Sequence, residues 1–193
     1  MHIVLASASP RRKEIFSMFG MSPEICVSSV DESYDKSLAP EEVVKFLSRK
    51  KGEAVAEKYP HSLVVSADTV VAFDGKILGK PRDEKEAVEM LESLSGTTHE
   101  VWTGYSVFYE GRSVSCAEVT KVEFKTLSKE EISSYVATGE ALDKAGSYGA
   151  QGKASVFVKG IDGDFFNVVG FPLSHFYDTV KREFCVDLWK IEN

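Results

Sequence analysis

Cysteine is scarce in this chain. Cys26, Cys116 and Cys185 are the only three in 193 residues, far apart and without His at ligand spacing. An odd, scattered set excludes a disulfide framework and a Cys/His zinc centre, and reads instead as small buried hydrophobes. No apolar run approaches the roughly 20 residues that a membrane-spanning helix needs. The chain enters an apolar stretch at Ile3 without the basic segment, apolar core and small-residue cleavage site of a secretory leader, so the expected location is the cytoplasm. Positive charge is in the minority, 23 Lys and Arg against 30 Asp and Glu, for a net charge of −7. Such a chain lacks the broad basic face and the aromatic–basic interleaving of a nucleic-acid binder, and no stable nucleic-acid binding is expected. His2, His61, His99 and His175 have no i,i+4 partner and no Cys neighbour, and G-x-S-x-G is absent. Acyl transfer through a Ser-His-Asp or Cys-His grouping is therefore a poor fit. Neither the G-x-x-x-x-G-K-[ST] nor the G-x-G-x-x-G nucleotide fingerprint occurs.

What is present suits a globular protein: 43% hydrophobic and 27% charged residues, long enough for one domain or two small lobes sharing a sheet. Periodicity predicts strands over 3–6, 23–28, 62–73, 76–78, 100–109, 112–126, 155–161 and 165–169. It predicts helices over 10–19, 40–58, 84–93, 129–138 and 173–184. Ser128 followed by Glu130 and Glu131 is a capping pattern, and Glu110-Gly111 reads as a hairpin turn between two long strands. Helices interleaved with strands, plus one long hairpin, imply a mixed α/β sheet.

The opening segment carries the first chemical signal. After the strand, Ser9 is a natural N-cap and Pro10 suits the first helical position. Arg11, Arg12 and Lys13 then fill the first turn, where free backbone N–H groups and the helix dipole already favour an anion. Either these cations form a solvated basic start that tolerates the repulsion, or they serve a bound polyanion. In the second case Arg forks, backbone amides and the Ser7 and Ser9 hydroxyls would converge on one oxygen-rich group.

Asp68 is the second signal, a carboxylate inside the apolar run of residues 63–73. It is either a strand-end residue bonded to local backbone or a general base or metal ligand. Lys80 in the Gly-Lys-Pro segment is held extended by Pro81, and is read either as solvated or as aimed at a site. Lys50 and Lys51 are adjacent on a helix and diverge by roughly 100°, so at most one enters a given site. The block 143–152 is rich in glycine, as a ligand-contacting loop or a tight turn requires. Asn167, in an apolar run, reads as structural. Arg, Lys and carboxylate without an activated nucleophile fit phosphoanhydride hydrolysis by an activated water.

These blocks resemble the Maf family of nucleoside triphosphate pyrophosphatases. The likeness lies in an ordered series: LASASPRR (5–12), VDE (30–32), SADTVV (66–71), LGKPRD (78–83), LSGTTHEVWTG (94–104), LDKAGSYGAQG (142–152) and VVGFPL (168–173). It covers residues 3–176. The resemblance implies a mixed α/β fold of the Maf/ITPase-like kind: an elongated twisted sheet flanked by helices, one domain over 1–193, with two lobes around a central cleft. It also implies a homodimer and cleavage of a nucleotide between its α and β phosphates. Carried over by position, Ser7, Arg11 and Arg12 would bind phosphate together with Lys51 and Lys80, and Asp68 would be the proton acceptor. Glu32 and Asp68 would hold a divalent cation, Mg²⁺ or Mn²⁺. Arg11, Thr69 and Gln151 would set substrate preference, and the Asp-Thr and Ala-Gln-Gly sequences resemble the branch acting on dTTP and UTP. Two departures stand out. Gly52 occupies a place where the family usually has Ala, a change expected to loosen the helix bearing Lys51. Ala150 replaces the usual Ile beside Gln151. The alternative function is a nucleotide-sensing regulator of cell division that acts by binding a partner rather than by turnover.

Overall fold

The apolar run that encloses Asp68 forms one long strand, β3 (Leu63–Phe73), in a computed structural model that describes residues 1–191. It belongs to a mixed seven-stranded open sheet flanked by helices, in the order β2-β1-β3-β5-β6-β7 with β4 on β3. The remaining strands are β1 (Ile3–Leu5), β2 (Glu24–Ile25), β4 (Lys76–Leu78), β5 (Thr98–Tyr109), β6 (Arg112–Phe124) and β7 (Val158–Asp162). The helices are α1 (Pro10–Met18), α2 (Pro40–Ala56), α3 (Glu84–Leu94), α4 (Lys129–Val136), α5 (Phe165–Val169) and α6 (Leu173–Phe184). β1 pairs parallel with β2 and β3, whereas β4 on β3 and β7 on β6 are antiparallel. Asp74-Gly75 and Glu110-Gly111 turn the hairpins with positive φ at both residues, which matches strand twist.

The chain divides into two units. The first comprises Met1–Asp68, Thr103–Glu118 and Gly170–Asn193. Its core includes Val4, Ala6, Val55, Val64 and Phe108, with Phe16, Tyr105, Phe171 and Phe176 in ring contact. The second comprises Thr69–Trp102 and Val119–Val169. Its core is built on Leu91, Leu94, Val122, Phe124, Ile132, Tyr135, Tyr148 and Phe157.

Three predicted strands are corrected. Residues 165–169 are a helix, not a strand. The Asp164 carboxylate accepts from Phe166 N at 2.7 Å, and the buried Asn167 amide donates to the Val101 carbonyl and to Thr120 Oγ1, both at 3.0 Å. Those bonds outweigh the strand preference of Phe-Phe-Asn-Val-Val. Residues 153–157 form a 3₁₀ turn, so β7 starts only at Val158, and of 23–28 only Glu24–Ile25 pair.

In the first unit α2 lies unusually close to the sheet. Gly52 is buried, and a Cβ there would meet Phe108 Cε2 at 2.3 Å and Ser66 Oγ at 2.5 Å. A Cβ on Gly104, across the same contact, would stand 2.4 Å from the backbone C and O of Val44. The expected loosening at Gly52 is thus replaced by a close seat that only a missing side chain permits. Gly104→Ala should therefore lower stability by about 3 kcal/mol, because Val44 backbone cannot retreat from the added methyl without moving the helix. Urea midpoints check this, and an unshifted midpoint would contradict the tight seat.

Candidate active site

The first unit gathers most of the residues singled out by sequence. β1 ends at Leu5, and the Ala6 amide donates to the Val65 carbonyl at 2.7 Å, carrying the buried Ser7 to the foot of α1. Ser9 caps that helix: its Oγ accepts from Arg12 N at 3.5 Å, with Pro10 at the first position. Ser7 Oγ accepts from the Ser9 amide at 3.2 Å and from Arg12 Nη1 at 3.0 Å. Arg12 Nε donates to the Gly170 carbonyl at 2.8 Å, so the guanidinium is fixed on two edges. Gly170 carries no side-chain chemistry, which is why sequence reading passed over it. Burial holds the Arg12 pKa below its ordinary value; Asp68 and Glu32 pull it back up and Arg11 pushes it further down. The fork thus lies within the field of both carboxylates and of its neighbouring cation.

α2 and β3 supply a largely buried ion pair. Lys51 Nζ lies 2.6 Å from Asp68 Oδ1 and 2.8 Å from Glu32 Oε2, with the Lys51 and Asp68 side chains only 13% and 12% exposed. A carboxylate at that depth needs a compensating partner, and this ammonium is one. Lys50 points elsewhere, with its ammonium 5.6 Å from the Phe46 ring centroid, as its offset along the helix requires. Of the alternatives for Asp68, local backbone capping gives way to an ion pair with a lysine from another element. Ser7, Arg12, Glu32, Lys51 and Asp68 are thus brought together, with Arg11 at their edge.

Lys80, Thr69 and Gln151 belong to the second unit. Thr69 is half-buried on β3 directly after Asp68. Lys80 is exposed between β4 and α3 and forms no ion pair among the described residues, whereas its neighbours Arg82 and Asp83 are used to start α3. The Gly79 carbonyl beside Lys80 accepts from Gly146 N at 3.1 Å, which ties the lysine loop to the glycine-rich block. Gln151 is exposed on that block. Beneath it, both Glu140 carboxylate oxygens accept from the Lys153 amide, at 3.0 and 3.1 Å. A Cβ on Gly152 would lie 2.1 Å from Glu140 Oε1, so this glycine serves the close approach of that carboxylate. Glu140 escaped the sequence reading because nothing local marks it. His99, 2% exposed, places Nε2 2.7 Å from the Tyr148 hydroxyl, so a residue read as chemically idle is a core anchor of the same block.

Among the described residues no group of three or more His, Cys, Asp or Glu could hold a metal ion. Glu32 and Asp68 form a two-carboxylate set, the kind that Mg²⁺ takes up together with substrate phosphates rather than in an all-protein cage.

A family model described as Maf-like protein matches residues 2–183. A dTTP/UTP pyrophosphatase of Geobacillus sp. (strain WCH70) is 48% identical over 180 residues, 93% of this chain and 97% of that protein. A protein of the same name from Bacillus pumilus (strain SAFR-032) is 49% identical over 172 residues, 89% of this chain and 91% of that protein. Among solved structures, the Staphylococcus aureus Ham1 protein aligns with 64% of this chain and 72% of its own, at 15% identity and a TM-score of 0.44.

Burial of His99 pushes its pKa down to about 4 from the usual 6.5. The folded protein holds this ring neutral while the unfolded chain protonates it near its ordinary value. The contribution of His99 to stability is therefore complete above about pH 6.5 and is lost as pH falls from there toward 4, roughly 3 kcal/mol in all. Urea titrations between pH 7 and pH 4 check this: His99→Gln, which keeps a hydrogen-bonding group for Tyr148, should lose that component of the pH dependence. An unchanged slope in His99→Gln would assign the titration to other groups.

Proposed function

The chain belongs to the Maf-like protein family, and we propose that it is a nucleoside triphosphate pyrophosphatase that hydrolyses dTTP and UTP to the nucleoside monophosphate and pyrophosphate. The observation that carries this reading is the Lys51–Asp68 pair, held within the field of the Arg12 fork at the cation-rich start of α1. A triphosphate is the ligand class that such an anion-seeking turn favours, because backbone amides, hydroxyls and guanidinium groups all prefer phosphate oxygens there.

In the proposed reaction Ser7, Arg11 and Arg12 bind the phosphates. Asp68 accepts a proton from a water as that water attacks the α-phosphorus. The bond from the α-phosphorus to the bridging oxygen breaks, and its electron pair leaves with pyrophosphate. Lys51 and Lys80 offset the charge that grows on the leaving group, which is positioning and electrostatic work rather than covalent catalysis. Arg11, Thr69 and Gln151 are proposed to read the nucleoside. Glu32 and Asp68 would hold a divalent cation, Mg²⁺ or Mn²⁺, which when bound would supply Lewis-acid neutralisation of phosphate oxygens.

No helix among the described residues is long and apolar enough to cross a membrane. The proposed setting is the cytoplasm, where nucleoside triphosphates are at hand. The proposed assembly is a homodimer, with no membrane or nucleic-acid partner; the net charge of −7 supports the last point.

Incubation with each nucleotide and Mn²⁺, followed by separation of products, tests the reading. Pyrophosphate and UMP or TMP are expected, EDTA should abolish turnover, and Asp68→Asn should lower kcat by about 10²- to 10⁴-fold. Release of orthophosphate would refute the reaction class, and a preference for purine nucleotides would refute the substrate branch.

A further inference from the structure

Gly52 follows Lys51 on α2, and Ser66 precedes Asp68 by two residues on β3, hence on the same face of the strand. The two neighbouring pairs face each other. A Cβ on Gly52 would stand 2.5 Å from Ser66 Oγ and 2.3 Å from Phe108 Cε2, while one residue along the helix Lys51 Nζ meets Asp68 Oδ1 at 2.6 Å. Helix and strand are also tied directly, because Ser66 Oγ donates to the Ser48 carbonyl at 2.6 Å. From there a chain of hydroxyls continues outward, from buried Ser48 to Ser106 at 3.0 Å and from Ser106 to half-buried Ser115 at 2.8 Å. The helix face toward the sheet thus reads Ser48, Gly52 and Val55, small or apolar throughout and fully buried, with Lys51 at its margin.

We propose that Gly52 and Phe108 are positioning residues for the Lys51–Asp68 pair: the absent side chain at 52, matched to the ring at 108, sets the helix-to-sheet distance at which the Lys51 ammonium reaches Asp68 and Glu32. A methyl at 52 cannot be accommodated by a flexible tip, since Phe108 is packed among Val4, Ala6, Val55 and Val64 and the Ser66 hydroxyl is committed to the helix backbone. The helix must rise or rotate instead, and Lys51 is the first side chain to feel it. Charged pairs depend steeply on distance when partly desolvated, so a small displacement is enough to unseat the ammonium. The proposal rests on the reading of Lys51 and Asp68 as part of a pyrophosphatase site, but its geometric core can be tested without turnover.

Two readouts are taken on Gly52→Ala: steady-state kinetics with UTP, and the rate at which Lys51 is acylated by an amine-reactive reagent, followed by mass spectrometry. The expected result is a fall in kcat of tenfold or more with KM changed less than threefold, and acylation of Lys51 faster by tenfold or more, with Lys50 unchanged. Adding Phe108→Leu, which withdraws the ring edge facing position 52, should bring both values most of the way back. Leu91→Ala, a cavity in the core of the second unit, controls for stability: it should lower the melting temperature while leaving kcat and Lys51 labelling near wild type. If Gly52→Ala does not fold, Phe108→Trp crowds the same gap from the sheet side and should give the same pair of changes. A folded variant with wild-type kcat and wild-type Lys51 labelling overturns the proposal, because the glycine then serves packing alone. A wild-type protein that releases no pyrophosphate defeats the functional reading instead, and the labelling comparison still decides whether Gly52 positions Lys51.

Discussion

One ammonium shared by two carboxylates is the constraint on which the first unit is arranged. Asp68 sits in a strand whose neighbours Ala67 and Val70 are buried, and an unpaired charge at that depth would cost several kcal/mol. Lys51 removes the cost only if α2 comes within reach of β3, and the helix reaches it through contacts that leave no room for side chains at Gly52 and Gly104. Packing and chemistry are coupled here: Gly52, of low intrinsic helix propensity, stands where a better helix former would push the charge pair apart.

The electrostatics of the free protein follow from the same cluster. Arg11, Arg12 and Lys51 stand against Glu32 and Asp68, so the site is close to balanced before any ligand arrives. The helix start adds the positive end of a dipole, which tilts the balance toward an anion. Set in a chain of net charge −7, this is a local attraction in a repelling surface, and it favours small polyanions that can enter over extended ones that must lie across the surface. The Arg12 fork is fixed by Ser7 and by the Gly170 carbonyl, so binding a phosphate there as proposed would require little reorganisation of it.

Much of this was legible in the sequence where a local rule has a local cause. Ser9 and Pro10 announced α1, and the capping pattern at Ser128 announced α4. Asp68 announced itself as a charge in an apolar strand. Other features were not legible because their causes lie far along the chain. The helix over 165–169 depends on an Asp164 cap and on the bonds of Asn167 to Val101 and Thr120, against the propensity of its residues. Gly52 looks like a weak point in a helix until Phe108 and Ser66 are placed beneath it. Glu140 and His99 hold the glycine-rich block from below, through a backbone amide and a tyrosine hydroxyl that no spacing in the sequence connects to them.

On the proposed function, a nucleoside triphosphate is held and opened beside the Lys51–Asp68 pair. A crystal structure with a non-hydrolysable UTP analogue tests this. Phosphate oxygens are expected in hydrogen-bond contact with Ser7, Arg12 and Lys51, with the α-phosphorus facing the Asp68 carboxylate. A triphosphate seated away from Asp68, with its α-phosphorus turned toward other residues, would contradict it.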